Sequence, residues 1–144
     1  MPLPKPEPGL VISYAYLWAD RAEQGHEEAE KNRPCAIILS TADATGATIV
    51  MALPITHTPP RPDNAGIEIP AVTRKRLGLD DEPCWVMVSE LNRFVWPGPD
   101  LRPIPGLADR FAYGLLPPRF FRTVRDLLVE RARRGQVTTT IRTE

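Results

Sequence analysis

Residues 25–40, GHEEAEKNRPCAIILS, place titratable side chains directly before an apolar run. His26 can act as acid or base near neutral pH, and Glu27 beside it supplies a carboxylate. Arg33 precedes Pro34, and a residue before proline favours extended geometry, which sets the arginine at the mouth of the following strand. A guanidinium offers a planar fork of donors that fits a phosphate. These residue types indicate a phosphate-binding site, or alternatively a salt bridge between Arg33 and a neighbouring acid.

A second group of candidate residues closes the next apolar run, ALPITHTPP at positions 52–60. The hydroxyl groups of Thr56 and Thr58 can donate to a phosphate oxygen, and His57 lies between them as a possible acid or base. The alternative is that the threonines satisfy backbone groups of the proline-rich loop and that His57 is a loop histidine. Residue types alone leave both interpretations open.

Positive charge is local rather than global in this chain. The 18 basic and 18 acidic residues give a formal net charge of zero, so total charge does not indicate a nucleic-acid binder. The run TRKR contains Arg74, Lys75 and Arg76, Arg93 lies in the last predicted strand, and six arginines lie in the predicted C-terminal helix. Such clusters can follow a phosphate backbone, or they can be solvated surface.

The remaining composition argues against metal, cofactor and membrane classes. Cys35 and Cys84 lie singly in apolar runs, without the paired spacing of a zinc site, so we expect two small buried hydrophobes. No apolar run approaches the roughly 18 residues that a membrane span needs. We therefore expect a cytoplasmic protein without metal or cofactor.

Hydrophobic periodicity predicts a mainly β chain that ends in a helix. In the first strand, Leu10, Ile12, Tyr14, Tyr16 and Trp18 alternate on one face. Phe120, Phe121, Val124, Leu127 and Leu128 recur at helical spacing, with Pro118 suited to the first turn and Gly135 to the end. Strands are predicted at residues 9–18, 33–40, 47–56, 67–70, 84–89 and 91–96.

The predicted architecture is one domain over residues 1–144, with flexible ends at 1–8 and 136–144. Its 17 prolines favour short strands joined by loops, because proline is excluded from helix interiors and central strands. We expect an α+β domain, a small barrel or half-open sheet of five or six short strands, with the helix covering one end or face.

Three motifs in this order resemble the MazF/PemK family of toxins from bacterial toxin–antitoxin modules. They are Gly25-His26-Glu27, then Arg33-Pro34 opening an apolar strand, then Pro54-Ile55-Thr56 closing the next strand. The resemblance covers roughly residues 8 to 96, and the C-terminal helix adds to it. It implies an SH3-like barrel that forms a homodimer and is neutralised by an antitoxin protein.

The activity that this resemblance implies is metal-independent cleavage of single-stranded RNA. Arg33 would contact the phosphate and Thr56 would hold a non-bridging oxygen. His26 or Glu27 would be the base, and His57 would be a further candidate for catalysis. Arg74, Lys75, Arg76 and Arg93 would contact the RNA.

One departure from the family pattern supports a second interpretation. Ser89-Glu90 stands where several family members carry Asp-Gln, with Glu90, Asn92 or Arg93 as candidate substitutes after a small shift. The alternative function is therefore a catalytically inactive barrel of the same type that binds a peptide or a nucleic acid, since a fold does not fix a function.

Overall fold

The structure, a computed structural model, describes residues 3–25 and 32–142. This part of the chain is mainly antiparallel β-sheet with three helices, as the α+β prediction requires. The elements are β1 (Leu10–Tyr14), α1 (Ala19–Glu23), β2 (Arg33–Ala42), β3 (Thr48–Thr56), β4 (Gly66–Glu68), α2 (Ala71–Arg76), β5 (Trp85–Met87), β6 (Glu90–Val95), β7 (Ala112–Leu115), α3 (Pro118–Arg133) and β8 (Thr138–Ile141).

Strand β3 is the centre of the sheet. It pairs with β2 from Thr48 to Pro54 on one edge, while its other edge pairs first with β6 and then with β5. On one side of β3 the strand order is β3-β2-β1-β7. On the other side the sheet has two branches, β3-β5-β4 and β3-β6-β8. The start of β2, the end of β3 and the starts of β5 and β6 therefore lie at the same end of the sheet.

The sheet is buried on both faces by two apolar clusters. The helix-side core contains Val11, Leu53 and Ile55 of the sheet together with Val124 and Leu128 of α3. The loop-side core contains the alternate strand residues and is covered by the 97–111 loop; its members are Leu10, Ile12, Tyr14, Tyr16, Cys35, Ile37, Val50, Ala52, Phe94 and Leu101. Strands buried on two faces explain why β2 and β3 read as nearly continuous apolar runs.

Helix α3 confirms the predicted amphipathic helix. Pro118 occupies its first turn, and Gly135 follows its end at a φ of +70°, a conformation that glycine adopts without strain. Val124 and Leu128 are buried, while Phe120, Phe121 and Leu127 pack against the same core.

The structure corrects four details of the prediction. The described residues form eight strands rather than five or six, and the pairing of these strands gives an open sheet rather than a clearly closed barrel. Strand β7 lies between the last predicted strand and the predicted helix, where we expected no strand. The 136–144 segment, predicted as a flexible tail, contains β8, which pairs in parallel with β6.

The described helices include none that is both long and apolar enough to cross a membrane.

Candidate functional site

A cleft of about 1070 Å³ opens where β2 begins and β3 ends. Its lining comes from residues 16–23, the start of β2, the end of β3 and the loops at 57–64 and 78–84. Ser89, Glu90 at the start of β6, and Ile104 and Pro105 of the 97–111 loop complete it. Among the sequence candidates, Arg33, Thr56 and His57 all line it.

Arg33 is held against an aromatic ring at the cleft wall. It opens β2 opposite Tyr14, and its guanidinium carbon lies 4.9 Å from the ring centroid of Trp18. A cation over an indole face is attracted by the ring quadrupole, most strongly where water is partly excluded, and Arg33 is half-buried. The contact fixes the guanidinium at the wall, where it can meet an anionic group in the cleft.

Thr56 and His57 line the cleft where β3 ends and already have local partners. The Thr56 hydroxyl oxygen accepts a hydrogen bond from the Thr58 N–H at 3.1 Å. The His57 ring lies 2.7 Å from Asp80 Oδ2 through Nε2 and 2.9 Å from the Pro83 carbonyl through Nδ1. His57 thus joins the loops at 57–64 and 78–84, which fits the loop-histidine interpretation.

Glu90, one of the sequence candidates to replace the family's acidic residue, lines the cleft. Its Oε1 accepts hydrogen bonds from the Tyr16 hydroxyl at 3.0 Å and from the Ala19 N–H at 2.9 Å. Both bonds use Oε1. Burial raises the pKa of this carboxyl above its ordinary value, despite the two donors. The sequence shows only a single glutamate at the start of a strand. It does not show that distant residues bury this side chain.

A buried polar network fixes the cleft wall that carries Trp18. The Asn92 side chain accepts from the Leu17 N–H at 2.9 Å and donates to the Leu17 carbonyl at 2.8 Å. Arg142 donates to the Ala15 carbonyl at 2.6 Å and to Asn92 Oδ1 at 3.3 Å, and it pairs with Asp100 at 3.1 Å. The wall is thus tied to β6 and to the residue after β8. Asn92 is structural here rather than a substitute for a missing acid.

The four predicted RNA-contact residues lie outside the cleft lining. Lys75, Arg76 and Arg93 are exposed, with Arg76 donating to the Leu115 carbonyl at 2.9 Å. Arg74 is corrected by the structure, because it is only 8% exposed and donates to the Asp81 carbonyl. Its guanidinium is held inside the fold rather than on a surface that RNA could contact. His26 and Glu27 lie outside the described residues.

The cysteines do not offer reactive thiolates. Both are free and buried, as predicted. Burial raises the pKa of the Cys84 thiol to about 11 and that of the Cys35 thiol further, so both remain protonated at neutral pH. Within residues 3–25 and 32–142, no group of three His, Cys, Asp or Glu side chains could hold a metal ion.

The cleft combines opposite charges with aromatic and apolar surface. Its lining includes the carboxylates of Asp20, Glu23, Asp80 and Glu90 and the guanidinium groups of Arg21, Arg33 and Arg61. Such a set can bind a phosphate at one point and move a proton at another, without attracting a polyanion strongly as a whole.

Comparisons of the chain with protein-family models, with curated proteins and with solved structures found no match.

Proposed function

We propose that this chain is the toxin of a type II toxin–antitoxin module, a metal-independent endoribonuclease that cleaves single-stranded RNA. We further propose that its sheet is an opened variant of the SH3-like barrel of the MazF/PemK family, and that it acts in the cytoplasm as a homodimer. The observation that carries this proposal is the presence of Arg33, Thr56, His57 and Glu90 around one cleft. The order of the Arg-Pro and Pro-Ile-Thr motifs in the sequence supports it.

The proposed reaction is an internal transesterification. The RNA 2′-oxygen attacks the adjacent phosphorus while its proton goes to a base. The bond from phosphorus to the 5′-oxygen breaks, and that oxygen receives a proton from an acid. The products are a 2′,3′-cyclic phosphate and a free 5′-hydroxyl, so no water or metal is consumed. Catalysis requires proton transfer and stabilisation of the charge that develops on the phosphate.

The described residues of the cleft divide these tasks. Arg33, braced on Trp18, neutralises charge on the non-bridging oxygens. Thr56 holds one of these oxygens by donating its hydroxyl proton, which its bond from the Thr58 N–H leaves available. Glu90 exchanges a proton, and its raised pKa brings the carboxyl closer to neutral pH. His26 and Glu27 keep their predicted role as alternative bases, outside the described residues.

We predict that Arg33→Ala abolishes most of the cleavage. Removing one preorganised donor to a developing oxyanion typically costs about 100-fold or more in rate. The measurement is single-turnover cleavage of single-stranded RNA by purified protein in the presence of a metal chelator, with primer extension to locate new 5′ ends.

Arg102→Ala is the matched control for this experiment. Arg102 is a half-exposed arginine 4.0 Å from Asp100 and outside the cleft lining, so its loss removes the same charge without touching the cleft. Equal cleavage by the wild type and the Arg33 variant would overturn the proposed role of Arg33. Absence of cleavage by soluble wild type would overturn the nuclease proposal.

The second candidate function is a binding module without catalysis. It is favoured by the hydrogen bonds that already engage the titratable groups, because both His57 nitrogens face acceptors and Glu90 accepts from Tyr16 and Ala19. Such bonds hold a binding surface in shape as well as they hold a catalytic one. RNA binding that depends on Arg33 but leaves the RNA intact would establish this function.

A further inference from the structure

Helix α3 concentrates positive charge on a neutral chain. Six arginines lie at positions 119–134, against Asp126 and Glu130, which is an excess of four charges where the whole chain has zero. These arginines are not equivalent. Arg125 pairs with Asp126 at 3.0 Å, and Arg134 pairs with Glu130 at 2.9 Å. Arg131 is half-buried and donates to the Gln136 carbonyl.

Three arginines remain on the outer face of this helix. Arg119, Arg122 and Arg133 are exposed, and among the described residues they make no ion pair or side-chain hydrogen bond. Positions 119, 122 and 133 fall on one side of a helix, opposite Val124 and Leu128, which face the helix-side core. Unpaired guanidinium groups retain their full capacity for bidentate contacts with phosphate.

Helix α2 connects this face to the cleft. Arg76, its last residue, donates to the Leu115 carbonyl three residues before α3 begins. Immediately after α2, Gly78, Leu79 and Asp80 line the cleft. The C-terminal end of α2, where Lys75 and Arg76 are exposed, thus connects the cleft lining to the start of α3, where Arg119 and Arg122 are exposed.

To bind a polyanion, the protein needs a basic surface beside the cleft. Four carboxylates and three guanidinium groups line the cleft, so its own charges nearly cancel. Affinity for nucleic acid comes largely from neutralising several phosphates in a row. A cleft with this lining can orient one phosphate but cannot hold a longer strand by charge.

We propose that Lys75, Arg76, Arg119 and Arg122 form a basic track that binds the phosphate backbone of an RNA strand beyond the segment in the cleft. This inference rests on the proposed function, and it defines the substrate as a single strand that extends well past the reacting phosphate. The track supplies affinity without base specificity, because phosphate contacts carry no sequence information.

The test compares a short and a long RNA. The probes are uridine oligomers of about 4 and about 12 nucleotides, a range that single-strand binding folds cover. Every 2′-hydroxyl is methylated, so that the strand cannot be cleaved. Anisotropy of a labelled long oligomer gives its dissociation constant at several salt concentrations, and the short oligomer is measured as a competitor. The track variant is Arg119→Gln with Arg122→Gln.

The matched control is Arg125→Gln with Arg134→Gln, which removes two charges from the same helix but from arginines already paired with acids. We expect the track variant to bind the long oligomer about tenfold more weakly and to reduce the salt slope by about 1.4, since each phosphate contact on a single strand contributes about 0.7. The short oligomer should bind unchanged, and the control should resemble the wild type for both oligomers.

Three outcomes would overturn the track. In the first, the track variant and the control variant bind the long oligomer equally well. In the second, the track variant binds the short and the long oligomer more weakly by the same factor. In the third, the track variant loses binding of an acidic peptide, poly-glutamate, while its RNA binding equals that of the wild type. In each of these cases wild-type cleavage of RNA leaves the proposed function standing. Absence of both binding and cleavage by the wild type would remove the proposed function together with the track.

Discussion

Glu90 illustrates how one residue can serve the fold and the chemistry together. Its Oε1 fastens the Tyr16 hydroxyl and the Ala19 N–H, which orients the cleft wall. Burial of the same carboxyl disfavours its charged form and raises its pKa. A carboxyl of this kind is a better proton donor at neutral pH than an exposed one. The segment that Glu90 holds in place therefore also affects the pKa of Glu90.

We predict that Glu90→Gln changes how the stability of the protein depends on pH. The folded-state pKa of Glu90 lies above its unfolded value, so its contribution to stability is complete below the unfolded pKa and is lost as pH rises through the raised value. Glutamine keeps an oxygen acceptor for Tyr16 and Ala19 but never ionises. The free energy of unfolding of the variant should therefore improve, relative to the wild type, from about pH 4 to about pH 7.

Urea unfolding at several pH values measures this difference. If the variant instead loses stability relative to the wild type as pH rises, the surroundings of Glu90 favour its ionised form, and the prediction is wrong. Tyr16→Phe provides a companion variant, because it removes one donor to the charged form and should raise the Glu90 pKa further.

At the scale of elements, the last strand is an anchor for the cleft wall. Strand β8 pairs with β6, and Arg142 directly after it enters a buried site among Asp100, Asn92 and the Ala15 carbonyl. We call β8 and Arg142 the C-terminal strap. Through the Ala15 carbonyl and Asn92, the strap reaches the segment that positions Trp18 beneath Arg33.

Two arginines that share one acid allow the strap to be tested. Arg142 and Arg102 both pair with Asp100, but the Arg142 side chain is 4% exposed and that of Arg102 is 48% exposed. Arg142→Met should cost about 3 kcal/mol, because it leaves a mostly buried carboxylate and a carbonyl without their donor. Arg102→Met should cost less than about 1 kcal/mol.

Urea unfolding followed by circular dichroism compares the two variants. Adding Asp100→Asn to the Arg142 variant should recover part of the loss, because it removes a mostly buried charge that would keep only its 4.0 Å contact with Arg102. Equal costs for Arg142→Met and Arg102→Met would contradict an anchoring role for the strap.

The elements that could be predicted are those with strong local patterns. Apolar runs predicted β2 and β3, and helical spacing with Pro118 and Gly135 predicted α3. Strand β8 has the polar sequence TTTI and exists through its pairing with β6, which no local pattern records.

The site, too, could be predicted only where a local motif indicates it. The motifs predicted Arg33, Thr56 and His57, whereas Glu90 and the burial of Arg74 depend on distant segments that cover them.

At the scale of the whole molecule, the two cores share their strands. Strand β3 contributes Val50 and Ala52 to the loop-side core and Leu53 and Ile55 to the helix-side core. Neither core can lose its packing without disturbing this strand. The chain should therefore unfold as one cooperative unit, although it has two apolar clusters.

Two probes can follow the two cores separately. Far-UV circular dichroism reports mainly on α3, which packs on the helix-side core, and tryptophan fluorescence in a Trp85→Phe background reports on Trp18 and Trp96 beside the loop-side core. We predict superimposable urea transitions from the two probes. Separate midpoints would show that the two cores unfold independently.

The Arg142 contact with the Ala15 carbonyl spans 127 positions in the sequence. Contacts between such distant positions form late in folding, because the chain between them must first be ordered. The wall beneath Arg33 therefore gains its last anchor only when almost all of this sequence has left the ribosome. During synthesis the motifs of the cleft emerge early, but we expect them to remain without a finished binding surface until β8 has joined the sheet.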